Sequence, residues 1–78
     1  MKRVTLYTKP GCHLCEAVEQ VIARARKKRD FELEVRNILD DPEDFAKYQI
    51  EVPVVLVDGR EVARYRLSPA ELEAALAQ

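Results

Sequence analysis

Several residue types are scarce in this 78-residue chain, which has no tryptophan, one methionine, one histidine, two glycines and two cysteines. Long apolar runs are also missing: no segment approaches the roughly 20 apolar residues that cross a bilayer, so we expect no membrane partner. The apolar run that follows Lys2 and Arg3 is too short for the core of a signal peptide. We therefore expect a cytoplasmic protein that folds as a single domain over residues 1–78.

Charge of either sign is not in excess, because 13 basic and 14 acidic residues leave a net charge of −1. This balance predicts no strong attraction to nucleic acid or to anionic membranes. The basic run at residues 24–29 falls where a helix is expected to end, and cations there complement the helix dipole. A composition of 47% apolar and 35% charged residues, without repeats, is typical of a globular protein, and we expect a monomer.

The only two cysteines, Cys12 and Cys15, form a Cys-x-x-Cys motif. A disulfide between them would close almost no loop and would therefore add little stability. At a helix start the two thiols lie on one turn, within the Cα separation of roughly 4.4–6.8 Å that a disulfide spans. Unpaired N–H groups and the helix dipole stabilise a thiolate at that position. In a cytosolic protein the motif predicts a redox-active pair.

Local patterns divide the chain into short strands and helices. Alternating apolar residues mark the strands, and apolar residues at helical spacing mark the first helix. Asp41-Pro42 and Ser68-Pro69-Ala70-Glu71 are helix-start signals, and Asp58-Gly59 is a two-residue hairpin turn. The predicted elements are a strand at 3–8, a helix at 12–28, a strand at 31–36, a helix at 42–49, strands at 54–57 and 61–65, and a helix at 69–76.

The resulting order, β-α-β-α-β-β-α, predicts an α/β fold with a four-stranded mixed sheet flanked by helices. A right-handed crossover makes the first two strands parallel, and the hairpin makes the last two antiparallel. The first strand then lies inside the sheet, and Cys12 follows its carboxyl end. Open α/β sheets place their chemistry at that end of the strands.

Two motifs resemble a known family. The run LYTKPGCHLC at residues 6–15 closely resembles the active-site stretch of glutaredoxins and of small bacterial glutaredoxin-like proteins. Val52-Pro53 resembles the valine and cis-proline that face the active site in the thioredoxin superfamily. Through element order and motif spacing the resemblance covers nearly the whole chain. It implies a thioredoxin-like fold and a thiol–disulfide oxidoreductase.

The resemblance also implies roles for individual residues. Cys12 would be the exposed nucleophile and Cys15 the more buried resolving thiol. The backbone at Val52 and a cis Pro53 would bind an extended substrate segment or the peptide part of glutathione. Lys9 matches the basic residue that glutaredoxins place near the glycyl carboxylate of glutathione. No bound cofactor is implied; the partners would be a protein or small disulfide and a reductant, either glutathione as co-substrate or a dithiol protein.

The chain departs from the glutaredoxin pattern at two places. Glutaredoxins usually have threonine in place of Glu51 and a pair of glycines in place of Ala63-Arg64. The glycine pair lets the γ-glutamyl end of glutathione approach the backbone closely, which only glycine permits without steric cost. We therefore expect dithiol exchange through Cys12 and Cys15 independently of classical glutathione binding.

Other interpretations of the motif remain open from sequence. His13, as an imidazolium, would stabilise the neighbouring thiolate; alternatively it is an exposed residue at the start of a helix that helps shape the substrate surface. A zinc site needs four ligands, and His13 is the only imidazole available beside the two thiols. A non-catalytic binding module that keeps the fold, or two inert buried thiols, would also contain this motif.

Overall fold

The computed structural model describes residues 1–78. Its order of strands and helices confirms the predicted one. A single-turn 3₁₀ helix, Ile38–Asp40, is an addition that three residues are too few to signal by periodicity. The elements are β1 (Arg3–Thr8), α1 (His13–Arg26), β2 (Glu32–Asn37), the 3₁₀ turn, α2 (Pro42–Tyr48), β3 (Val54–Val57), β4 (Arg60–Arg64) and α3 (Pro69–Ala77).

The four strands form one sheet in the order β2-β1-β3-β4. β1 pairs in parallel with β2, whereas the β1–β3 and β3–β4 pairs are antiparallel. The sheet is therefore mixed, with β1 inside it, as the crossover and hairpin arguments predicted. The carboxyl end of β1 opens into the loop that carries the two cysteines.

The helix starts follow from local side-chain chemistry. The carboxylate of Asp41 accepts hydrogen bonds from the N–H groups of Glu43 and Asp44, which caps α2 ahead of Pro42. Ser68 and Glu71 form a reciprocal capping box at the start of α3. No helix in the chain combines the length and the apolar character that a membrane crossing requires.

The sheet buries a different set of side chains on each face. On one face, Val4 and Leu6 of β1 pack with Val55 and Val57 of β3 beneath α1 and α3. The other face carries a smaller buried cluster, which is made of Cys15, Ile38, Tyr48, Val52 and Val54. Tyr7, Cys12 and Leu56 pack against this second cluster. Cys15, from the first turn of α1, is therefore part of the smaller cluster, and Cys12 packs against it.

The β3–β4 hairpin turns at Asp58 and Gly59, whose φ angles of +50° and +83° match the type I′ turn that this dipeptide predicts. The pairing is regular from Val57 to Leu56 and then shifts by one residue, so that Val55 pairs with Ala63. This shift is a β-bulge that leaves one extra residue in β4. Beyond the bulge, side chains of β4 point to the opposite face from the one that regular alternation predicts.

Candidate active site

The loop between β1 and α1 sets the position of the first cysteine. Thr8 ends β1, and Gly11 adopts a φ of +76°, a left-handed conformation that glycine takes without steric cost. Cys12 follows with φ −92° and ψ 107° and is the N-cap residue of α1. The predicted helix start is therefore confirmed, with Cys12 immediately before the first helical residue.

The two thiols lie on one turn but differ in exposure. The Cys15 N–H donates a hydrogen bond to Cys12 Sγ at 3.1 Å, which is the capping contact of α1. Cys12 is partly exposed, whereas Cys15 is only 1% exposed, and both are free thiols. Cys12 Sγ, the sulfur that solvent can reach, is thus also the one that accepts a hydrogen bond from a backbone N–H.

Burial and the neighbouring thiol act on Cys15 in the same direction. Desolvation is the larger cause and raises the pKa of the Cys15 thiol, and the hydrogen bond to Cys12 raises it further. Hydrogen bonds from Thr8 and from the backbone of Lys9 oppose that rise without cancelling it. Cys15 therefore remains a neutral thiol under conditions in which an ordinary cysteine begins to ionise.

The Val52-Pro53 segment lies against the same core cluster as the cysteines. The peptide bond between these two residues is cis, as the resemblance implied. Val52 is 5% exposed and packs in the cluster that contains Cys15. The Pro53 ring is fully buried, and its carbonyl oxygen accepts a hydrogen bond from the Tyr65 N–H at 2.8 Å. The backbone N–H and C=O of Val52 make no hydrogen bond within the chain.

Lys9 and His13, the two other predicted site residues, differ in their contacts. Lys9 Nζ donates to the carbonyl oxygen of Gln49 at 3.4 Å, so its side chain links the cysteine loop to the segment that leads to Val52. The His13 side chain is 95% exposed, and its Nδ1 lies 3.5 Å from a carboxylate oxygen of Glu16. Lys9 therefore connects two parts of the site, while His13 stands out in solvent beside Cys12.

A shallow open depression adjoins the two thiols. Its charged side chains are one lysine and two glutamates, so carboxylates outnumber cations there. The lining residues are Thr8, Lys9, Pro10, Gly11, Cys12, Cys15, Glu16, Glu19 and Asn37. No three His, Cys, Asp or Glu side chains of the chain form a group that could hold a metal ion.

One feature of the site was missed from sequence: Glu51 and Arg64, which both depart from the glutaredoxin pattern, contact each other. Arg64 Nη1 forms an ion pair with a carboxylate oxygen of Glu51. Arg64 also binds both carboxylate oxygens of Glu61, with Nε and Nη2 at 2.6 and 2.9 Å. The opposite charges of Glu51 and Arg64 were the available signal, but nothing local indicates that residues this far apart in sequence meet.

Solved structures of similar chains share this architecture. Protein Ne2328 from Nitrosomonas europaea is 32% identical, with a TM-score of 0.78 over 94% of this chain and 88% of that one. Protein XcR50 from X. campestris is 31% identical, with a TM-score of 0.77 over 95% of each chain. Thioredoxin 1 from Thermosipho africanus TCF52B shares the fold at 22% identity, with a TM-score of 0.67 over 96% of this chain and 90% of that one. The chain therefore has the thioredoxin-like fold.

A match to a family model identifies the family of this chain within the proteins that share the fold. The family model described as "Glutaredoxin-like domain (DUF836)" matches residues 3–77, which is nearly the whole chain. A search of curated proteins finds no match. The chain belongs to this glutaredoxin-like family within the thioredoxin superfamily, as the motifs at residues 6–15 and 52–53 predicted.

Proposed function

We propose that this protein is a thiol–disulfide oxidoreductase in which Cys12 is the nucleophile and Cys15 the resolving thiol. The observation that carries the proposal is the unequal burial of two thiols on one helical turn, with the Cys15 N–H aimed at Cys12 Sγ at 3.1 Å. The Cys15 N–H and the N-terminus of α1 would stabilise the negative charge that the Cys12 sulfur carries during the exchange. Membership of a glutaredoxin-like family supports a redox role of this kind.

The exchange proceeds in two displacements at sulfur. The Cys12 thiolate attacks one substrate sulfur, so that a Cys12–substrate bond forms, the substrate disulfide breaks and the departing sulfur takes up a proton. Cys15 then loses its proton and attacks Cys12 Sγ, which forms the Cys12–Cys15 disulfide and releases the second substrate thiol. The substrate gains two electrons and two protons, and the dithiol loses them. A thiol reductant, either glutathione or a dithiol, restores both cysteines.

Val52 is the proposed anchoring point for substrate, because its backbone N–H and C=O have no partner within the chain. An extended segment beside the substrate disulfide would satisfy both groups. Pro53 contributes by fixing this backbone, since its ring is buried. Lys9 and the exposed His13 border the path to Cys12 and are proposed to contact substrate at its edges.

The proposed chemistry needs one copy of the chain and no bound cofactor, since both thiols and the anchoring backbone come from one domain. The expected substrates are disulfides of proteins or of small molecules, with a cytosolic reductant as the second partner. A cytosolic setting suits this role, because thiols there are kept reduced and disulfides are usually transient and catalytic.

The reduction of insulin disulfides by dithiothreitol, with and without the protein, tests the proposal. We expect the wild-type protein to accelerate the reaction and Cys12→Ser to return it to the uncatalysed rate. Serine is a good N-cap, so its hydroxyl can still accept the Cys15 N–H and the fold should persist, which circular dichroism can verify. Glu32→Gln, which breaks an exposed ion pair with Arg3 at the start of β1, is the control that should keep wild-type activity. A Cys12→Ser protein with full activity would contradict the assignment.

A further inference from the structure

A cluster of three charged side chains, Glu51, Arg64 and Glu61, lies beside the Val52-Pro53 segment. Arg64 contacts the carboxylates of both glutamates. All three side chains are partly exposed, at 38%, 35% and 43% respectively. The cluster carries two negative charges and one positive charge, so it presents an accessible surplus of carboxylate.

The β-bulge in β4 brings Arg64 into this cluster. The register shift after Leu56 pairs Arg64 with Val54, and directly paired residues share a face of the sheet. Val54 belongs to the core cluster on the α2 side, and the Arg64 guanidinium lies 6.0 Å from the ring centroid of Tyr48 in the same cluster. A regular hairpin would have turned Arg64 toward the opposite face.

The charge cluster borders the same small core as the two cysteines. Glu51 immediately precedes Val52, which packs with Cys15 in the core against which Cys12 also packs. Lys9 binds the carbonyl oxygen of Gln49 and so holds the cysteine loop against the same segment. In the depression that adjoins the thiols, Glu16 and Glu19 add two more carboxylates. Carboxylates therefore outnumber cations both in the depression at Cys12, with one lysine and two glutamates, and in the charge cluster that borders Val52, with one arginine and two glutamates.

We infer that Glu51 and Arg64 select substrates by charge: the site takes disulfides with neutral or basic flanks and disfavours small disulfides rich in carboxylates, such as oxidised glutathione. Arg64 already has two carboxylate partners, so an incoming carboxylate has to displace Glu51 and meets the remaining negative charge. A positively charged group beside the substrate disulfide is instead attracted by the surplus of carboxylates. The inference rests on the proposed dithiol exchange and defines the substrate class for that same site.

The test uses three small disulfides that differ in charge: oxidised glutathione (anionic), hydroxyethyl disulfide (uncharged) and cystamine (cationic). Rate constants for the fully reduced protein are measured by stopped flow at low salt, and the ratio for glutathione over cystamine is the readout. In Glu51→Gln we expect the rate constant for oxidised glutathione to rise and that for cystamine to fall, each about two- to fivefold. The ratio of the two should then rise roughly tenfold. Arg64→Gln should lower the ratio, and added salt should shrink both changes.

Glu32→Gln is the matched control, because it also breaks an exposed Glu–Arg ion pair but at the start of β1, away from the cysteines. Its ratio should equal that of the wild type. A ratio that stays constant or falls in Glu51→Gln, while hydroxyethyl disulfide is still reduced through Cys12, overturns the charge selection alone. A wild-type protein that reduces none of the three disulfides overturns the proposed function and this inference with it. The opposite signs expected for Glu51→Gln and Arg64→Gln separate an electrostatic effect from a loss of structure.

Discussion

Cys12 and Cys15 have the same chemistry in isolation, and only their surroundings distinguish them. Cys12 ends an exposed loop, and its sulfur accepts a hydrogen bond from a backbone N–H. Cys15 lies in the smaller core with 1% of its surface exposed. Burial raises the pKa of the Cys15 thiol, whereas the Cys12 sulfur is the one that solvent reaches. This difference in exposure supports the proposed roles of Cys12 as nucleophile and Cys15 as resolving thiol.

The raised pKa of Cys15 predicts a stability change at alkaline pH. An unfolded cysteine releases its proton near pH 8.5, whereas buried Cys15 retains it to higher pH, so the unfolded state binds fewer protons in between. The free energy of unfolding of the reduced protein should then fall as pH rises above about 8.5, by at most about 1.4 kcal/mol per pH unit. Below that pH, Cys15 should have no effect.

Urea unfolding at about pH 7.5 and about pH 9.5 measures this effect. The wild-type protein, kept reduced, should lose more stability between the two pH values than Cys15→Ser, which retains Cys12 but lacks the buried thiol. Equal losses in both proteins would mean that Cys15 titrates normally in the folded state.

Among the secondary-structure elements, α2 depends most on its cap, because it has only seven residues. Asp41 caps it through Oδ1, at 2.8 Å from the Glu43 N–H, and its Oδ2 lies 3.4 Å from an Arg36 nitrogen. Asp41→Ala should lower the free energy of unfolding by about 1 kcal/mol. Asp41→Asn keeps a capping oxygen and loses only a partly exposed ion pair, so it should lower the free energy of unfolding by only about a few tenths of a kcal/mol. Chemical denaturation distinguishes the two, and an equal loss in both would assign the effect to the ion pair.

The limits of sequence-based prediction are also clearest among the elements. The N-terminal ends of α2 and α3, at Pro42 and Pro69, were predictable, as was the turn at Asp58-Gly59. Each of these features depends on residues adjacent in sequence. α1 ends at Arg26, slightly earlier than apolar spacing predicts, since the last turn tightens to an i→i+3 bond from the Lys27 N–H to the Arg24 carbonyl.

Contacts that depend on register were not predictable. The bulge in β4 leaves no local signature, yet it decides which face Arg64 occupies and hence that it meets Glu51. Cys12, Cys15 and the cis Pro53 were identified because short motifs carry them, and their places in the structure agree with that expectation. The charge cluster required the three-dimensional structure, because it joins side chains from a loop and a strand.

In the molecule as a whole, the topology brings chemically distinct segments to one place. β1 lies between β2 and β3, so its carboxyl end delivers the cysteine loop next to the segment that enters β3. The smaller core, on the α2 side, joins Cys15 to Val52 and Tyr48. Cys12, Cys15 and the unpaired backbone of Val52 therefore lie in one part of the structure, although the sequence separates the cysteines from Val52 by about half the chain.

The most direct test of the central claim, that Cys12 attacks and Cys15 resolves, is to trap the intermediate. Cys15→Ser is incubated with an excess of hydroxyethyl disulfide, and the product is measured by intact mass and peptide mapping. We expect a stable mixed disulfide on Cys12 in that variant, slow modification of Cys15 in Cys12→Ser, and a Cys12–Cys15 disulfide in the wild-type protein. A faster reaction at Cys15 than at Cys12, or a wild-type protein that retains the mixed disulfide, would contradict the account.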